Sequence, residues 1–229
     1  MSEDEFDAYM AKDTYGNFRL TDAIRVVPDF KPVEGYRMAE SRNELSGEII
    51  PVLAAAATRE KLFDLFVDLA QGLGEIVEPI LHTSHTMRMD ASVNYEEMAC
   101  DPRERIVVQS YLQEFKHLLM NDGCFGISLV SYGKPEVIQF DEHKLLSVVA
   151  PDLDPFKKVM QRYGLREKPK MHFIHEVEHL HSSDEEHLNE LERLKIFLGE
   201  DSGLGAPDEP DDINDADWWK TDGPNPYNS

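Results

Sequence analysis

Cysteine is nearly absent from this chain: of 229 residues only Cys100 and Cys124 are cysteines, in unrelated contexts. Two thiols cannot build a disulfide scaffold, so stability must come from a packed core, and both are expected to be reduced core or near-core groups. Basic residues are scarce as well, 23 against 45 acidic ones, and the formal charge of −22 repels a phosphate backbone. Nucleic acid is therefore not an expected partner. The longest apolar run, "IIPVLAAAA" at 49–57, is about half the length of a membrane span and carries Pro51, so no membrane partner is expected. The stretch "MSEDEFDAYM" has neither a basic start nor an apolar segment, which argues against a secretory signal and for a cytoplasmic location. A phosphate-binding loop is missing too: "GLG" at 72–74 closes a helical pattern instead of opening one, and no G-x-S-x-G elbow occurs.

What the chain does have is enough apolar material for one core, 41% hydrophobic and 9% aromatic residues. Three zones separate. Residues 1–45 read as an acidic, partly irregular lead-in, residues 46–198 as a single globular domain, and residues 199–229 as an acidic tail too poor in aliphatic residues to fold. Within the domain, "EIIPVLAAAAT" reads as a buried strand, and "REKLFDLFVDLA" as a helix with Leu62, Leu65, Phe66 and Leu69 on one face and Thr58 as its cap. "EIVEPIL" resumes a strand. Asp101, Pro102 and the closing "NDG" bracket about five turns of helix over "RERIVVQSYLQEFKHLLM".

"CFGISLVSYG", "PEVIQFD" and "LLSVVAP" then read as an antiparallel meander, with Asp141, Glu142 and His143 in a solvated turn. "DPFKKVMQRYG" and "DEEHLNELERLKIFLG" close the domain as helices, the second announced by Ser183 and Glu186 at capping-box spacing. The expected fold is α+β, a mixed α/β sandwich: a mixed sheet with an antiparallel meander and helices packed on it.

The densest chemistry lies in "MHFIHEVEHLHSSDEEH" at 171–187, which holds five of the nine histidines. His175, Glu176 and His179 match H-E-x-x-H, in which a helix sets two imidazoles on one face as zinc ligands and the glutamate beside the ion as general base. The longer metzincin pattern fails, because Ser182 and Glu185 stand where Gly and His are required. If the segment is a strand, His175 and His179 lie about 13 Å apart and cannot share an ion. In that geometry His179 and His181, alternate residues about 7 Å apart at Cα, face the same way and can converge on one. "ILHTSH" at 80–85 ends an expected strand in a similar phrase, so His82 and His85 are the candidates to complete such a cluster.

A second feature is the tail "DDINDADWWKTDGPNPYNS", which holds both tryptophans, Trp218 and Trp219, together with Tyr227. Aromatics in a polar acidic segment either pack back on the domain or dock on another protein. The leading expectation is a non-catalytic binding or regulatory module, with another protein rather than a small molecule as partner and no cofactor. The alternatives are a zinc-dependent hydrolase using 175–179, and an acidic inhibitor that mimics a charged ligand of a basic partner.

Overall fold

The apolar periodicities of the chain become six helices and twelve strands among residues 3–27, 29–42, 49–84 and 96–199, the part described by a computed structural model. Helix α1 (Glu3–Ala11) is followed by the short strands β1 (Thr14–Tyr15), β2 (Phe18–Arg19) and β3 (Ile24–Val26). Strands β4 (Gly35–Arg42) and β5 (Ile49–Ala56) pair along their whole length, Gly35 opposite Ala56 and Arg42 opposite Ile49. Next come α2 (Arg59–Ala70), β6 (Ile76–Thr83), β7 (Glu96–Ala99), β8 (Arg103–Glu104), α3 (Arg105–Glu114) and α4 (Lys116–Asn121). The meander β9 (Phe125–Ser131), β10 (Val137–Phe140) and β11 (Leu146–Val149) leads to α5 (Asp154–Arg162), a 3-10 turn (Ile174–Glu176), β12 (His179–His181) and α6 (Glu185–Leu198).

Eight strands form one sheet in the order β4-β5-β11-β10-β9-β6-β7, with β8 also paired to β6. Every ladder in it is antiparallel. Strands β5 and β6, joined through α2, run in the same direction, but the meander inserts between them and turns a would-be parallel pair into antiparallel neighbours. The fold is thus α+β, with α2 to α6 gathered on one face and α1 tied to Arg25 of β3. Phe63, Phe66 and Leu69 of α2, Phe115 before α4, and Leu191, Leu194 and Leu198 of α6 bury against Leu53, Leu81, Ile127, Phe140 and Val148 of the sheet. No helix among the described residues is long and apolar enough to cross a membrane.

The other face of the β5–β11 half carries a thinner layer, a two-stranded ribbon of β3 and β12. A second core fills the space between: Ile24 and Val26 from β3, and Met171, Phe173 and Ile174 from the approach to β12, pack on Ala54, Ala56 and Leu145. The small side chains of the "AAAA" run let this layer sit close to the sheet.

Three local expectations shift. Residues 35–42 are a strand, although they lack clean alternation, because β4 is an edge strand with its far half only partly covered. The helix expected from Pro102 begins at Arg105, because Arg103 and Glu104 pair with Val77 and Ile76 of β6 and hold the backbone extended. It is also interrupted at Phe115, whose backbone departs from helical angles while its ring stays buried against Phe197. The cap of α6 is Asp184, which accepts the His187 N–H, one residue beyond Ser183.

Candidate metal centre

Residues 171–181 do not form the chelating helix of the H-E-x-x-H motif. Ile174 to Glu176 make a single 3-10 turn, Val177 returns to extended angles, and His179 to His181 pair with β3, His179 opposite Val26 and His181 opposite Ile24. The β-branched Ile24 and Val26 anchor that ladder in the small core. Strand geometry then turns His179 and His181 to one side, where the β10–β11 turn presents His143.

These three rings form a near-equilateral triangle. Centroid distances are 4.9 Å for each of the pairs 143–179, 143–181 and 179–181, with the ring planes crossed at 73°, 72° and 62°. One nitrogen from each ring lies within 4.8 Å of the other two. Three imidazoles on one tetrahedral zinc, with Zn–N of about 2.0–2.1 Å, place their centroids about 5.2 Å apart and their nitrogens about 3.3 Å apart.

Hydrogen bonds on the outer side fix the tautomers. The Nδ1–H of His179 donates to the Val177 carbonyl at 2.7 Å, and the Nδ1–H of His181 donates to the Gly123 carbonyl. A carbonyl can only accept, so both Nδ1 atoms carry hydrogen and the lone pairs of the neutral rings sit on Nε2. Those two Nε2 atoms face each other at 3.0 Å. Two lone pairs at that distance repel unless a proton or a metal cation lies between them. Behind His143, Asp141 Oδ2 and Glu142 Oε1 stand 3.6 and 3.5 Å from Nδ1, the carboxylate backing that orients a metal-binding imidazole.

Burial and the nearby carboxylates together set the charge around the cluster. His181 is lowered to about 4, by burial first, against the Gly123 bond and with the help of the neighbouring His143 and His179. For His143, burial acts downward, but hydrogen bonding and charge from Asp141, then Glu142, outweigh it and raise the ring above its ordinary value. Asp141, 3% exposed, also accepts the Leu145 N–H at 2.7 Å, and Lys144 takes a left-handed φ of 61°, so the turn folds inward. The Lys144 amine is buried, donates to the Phe125 carbonyl at 2.9 Å, and is lowered to about 8 by that burial against the pull of Asp122 and Asp141. The solvated turn expected at 141–143 is thus a half-buried wall of the site.

The remaining candidates fall elsewhere. His175 stands behind His143, ring centroids 5.8 Å apart, stacked on Phe173 and lowered to about 4 chiefly by burial. Glu176 is not free to act as a base beside His179. It bonds Arg37 at 2.7 Å and His172 at 2.8 Å, which together outweigh its burial and hold its carboxyl below the usual range. His82 is buried on β6, its Nε2 2.7 Å from Ser128 Oγ and its Nδ1 3.4 Å from Glu97, and takes no part in the triangle. His85, Trp218, Trp219 and Tyr227 lie outside the described residues. Cys100 is buried and Cys124 half-buried, and no disulfide joins them. The member of the histidine triangle that sequence reasoning missed is His143.

No protein-family model, curated protein or solved structure matches this chain. Its site is therefore read from its own geometry.

Proposed function

We propose that the protein is a zinc-binding protein whose ion is held by Nε2 of His179, Nε2 of His181 and the inward-facing nitrogen of His143. The single observation that carries this reading is the facing pair of Nε2 atoms, 3.0 Å apart, each with its other nitrogen committed to a carbonyl. Neutral imidazoles in that tautomer are the donors that borderline-soft divalent ions take, and the spacing needs only small adjustments to meet tetrahedral zinc.

Three protein ligands leave a fourth position, and His181 lies at the exposed side of the cluster. A water in such a position has its pKa lowered to about 7 when zinc is bound, which is the chemistry of hydrolytic and hydrating zinc centres. The chain's own contribution is to hold three lone pairs inward and to back His143 with two carboxylates. This replaces the H-E-x-x-H donor set by one that takes two histidines from the same segment and the third from the β10–β11 turn. A purely partner-binding module has its support in residues 218, 219 and 227, outside the described part.

Calorimetric titration of the full chain with zinc tests the reading. One ion per chain with a Kd of about 1 μM or tighter is expected, weakened by about 100-fold or more in each of His143→Ala, His179→Ala and His181→Ala. Wild-type binding absent at millimolar zinc, or unchanged in all three variants, overturns it.

A further inference from the structure

A groove of about 310 Å³ opens between the β1–β2 turn, residues 32–34 and residues 164–168, and shares no lining residue with the histidine triangle. That volume is at the lower end of small-molecule sites. Its cationic wall is built, not incidental. The Tyr36 N–H donates to the Arg166 carbonyl at 3.1 Å and the Lys168 N–H donates to the Tyr36 carbonyl at 2.8 Å, which holds 166–168 extended against the edge of β4. In an extended segment alternate side chains share a face, so Arg166 and Lys168 both line the groove while Glu167 does not.

Gly35 makes the close approach possible: a Cβ there would stand 2.9 Å from the Arg166 carbonyl oxygen and 3.0 Å from Lys168 Cδ. Several cations among the described residues have a carboxylate at hand, as Arg19 has Asp13, Arg37 has Glu176 and Arg59 has Asp22. Arg166 and Lys168 have none among the described residues. Glu34, the one carboxylate among the described lining residues, is already used twice, by the Thr58 N–H at 3.2 Å and by Lys61 at 2.9 Å. The groove is also lined by Tyr15, its hydroxyl donating to the Val26 carbonyl, and by Val33, 39% exposed.

We propose that this groove binds a small organic anion, with its carboxylate or phosphate between Arg166 and Lys168 and its apolar body against Tyr15 and Val33. Two unneutralised cations on one rigid face recognise a planar or tetrahedral anionic group, and the apolar wall selects against inorganic ions alone.

The test is a titration of the full-length protein, followed by amide NMR shifts, with phenyl phosphate, benzoate and, as the uncharged control, benzyl alcohol. Saturable binding of an anionic probe is expected, with shifts at Tyr15, Tyr36 and Lys168, weakened about tenfold or more in Arg166→Gln and in Lys168→Gln and unchanged in Glu167→Gln. Tighter binding of phenyl phosphate assigns a phosphate, and tighter binding of benzoate a carboxylate. No saturation by either anion, equal binding of benzyl alcohol, or anion binding insensitive to both substitutions overturns the proposal. Both side chains are exposed, so neither variant threatens the fold.

Discussion

His181 and Gly123 are joined by a hydrogen bond from the imidazole Nδ1–H to the glycine carbonyl, and that bond decides which ring nitrogen faces His179. Gly123 itself is pinned, since its N–H donates to the Ser182 carbonyl at 2.7 Å while the Ser182 N–H donates to Ala23 at 2.8 Å. A Cβ at 123 would stand 2.9 Å from the Ser182 nitrogen, a backbone atom that cannot swing aside. Gly123→Ala is expected to cost about 2 kcal/mol or more in urea unfolding and to weaken zinc binding with it. Unchanged values of both would show that this corner does not hold His181.

Asp141 supports the site from behind His143. Asp141→Asn keeps an acceptor for the Leu145 N–H but removes the negative charge next to His143 Nδ1. Zinc affinity should fall about 10- to 100-fold, the usual effect of losing a carboxylate behind a ligating histidine. Calorimetry of this variant decides the point, and full affinity would mean that His143 is oriented by other contacts.

Acid should destabilise the metal-free protein through its neutral histidines. His175 and His181 are lowered to about 4 against an ordinary value of 6.5. Below pH 6.5 the unfolded chain takes up protons that the folded one refuses, so stability is fully present above that pH and falls progressively toward pH 4. His143, raised above its ordinary value, opposes the trend in part. The His175 side chain is only 7% exposed, and on the order of 2 kcal/mol is at stake there. Urea unfolding between pH 7 and pH 4.5, compared with His175→Gln, measures it. An equal slope in the two proteins would contradict the assignment.

Much of this architecture is legible in the sequence because it is periodic. Strands β5, β6 and β9 to β11 are continuous or alternating apolar runs, and α2, α5 and α6 carry helical stripes with start signals, so local pattern and tertiary burial agree. Strand β4 escapes such reading because its pairing with β5, not its own alternation, makes it a strand. The H-x-H pair reads as convergent wherever 179–181 is extended. His143 does not, because "DEHK" has the composition of a solvated hairpin turn, and only long-range packing shows it turned inward. The one local hint is that neither Gly nor Asn stands at the left-handed position, which Lys144 takes with its amine buried.

The older motif can be separated from the observed cluster by one substitution. Glu176→Gln removes the general base of an H-E-x-x-H site, whereas here it only weakens a half-buried pair with Arg37. Zinc affinity is expected to stay within about threefold, and stability to drop by about 1 kcal/mol. A loss of metal binding in this variant would return the glutamate to the site.

The most direct measurement is the visible absorption of the cobalt-loaded protein, which reports the number and geometry of ligands on a zinc-like ion. One equivalent of Co²⁺ is expected to give the intense bands of a tetrahedral nitrogen-rich site in the wild type and in His175→Ala, and to lose them in His143→Ala. Bands that survive His143→Ala but vanish in His175→Ala would contradict the triangle of His143, His179 and His181 as the metal centre.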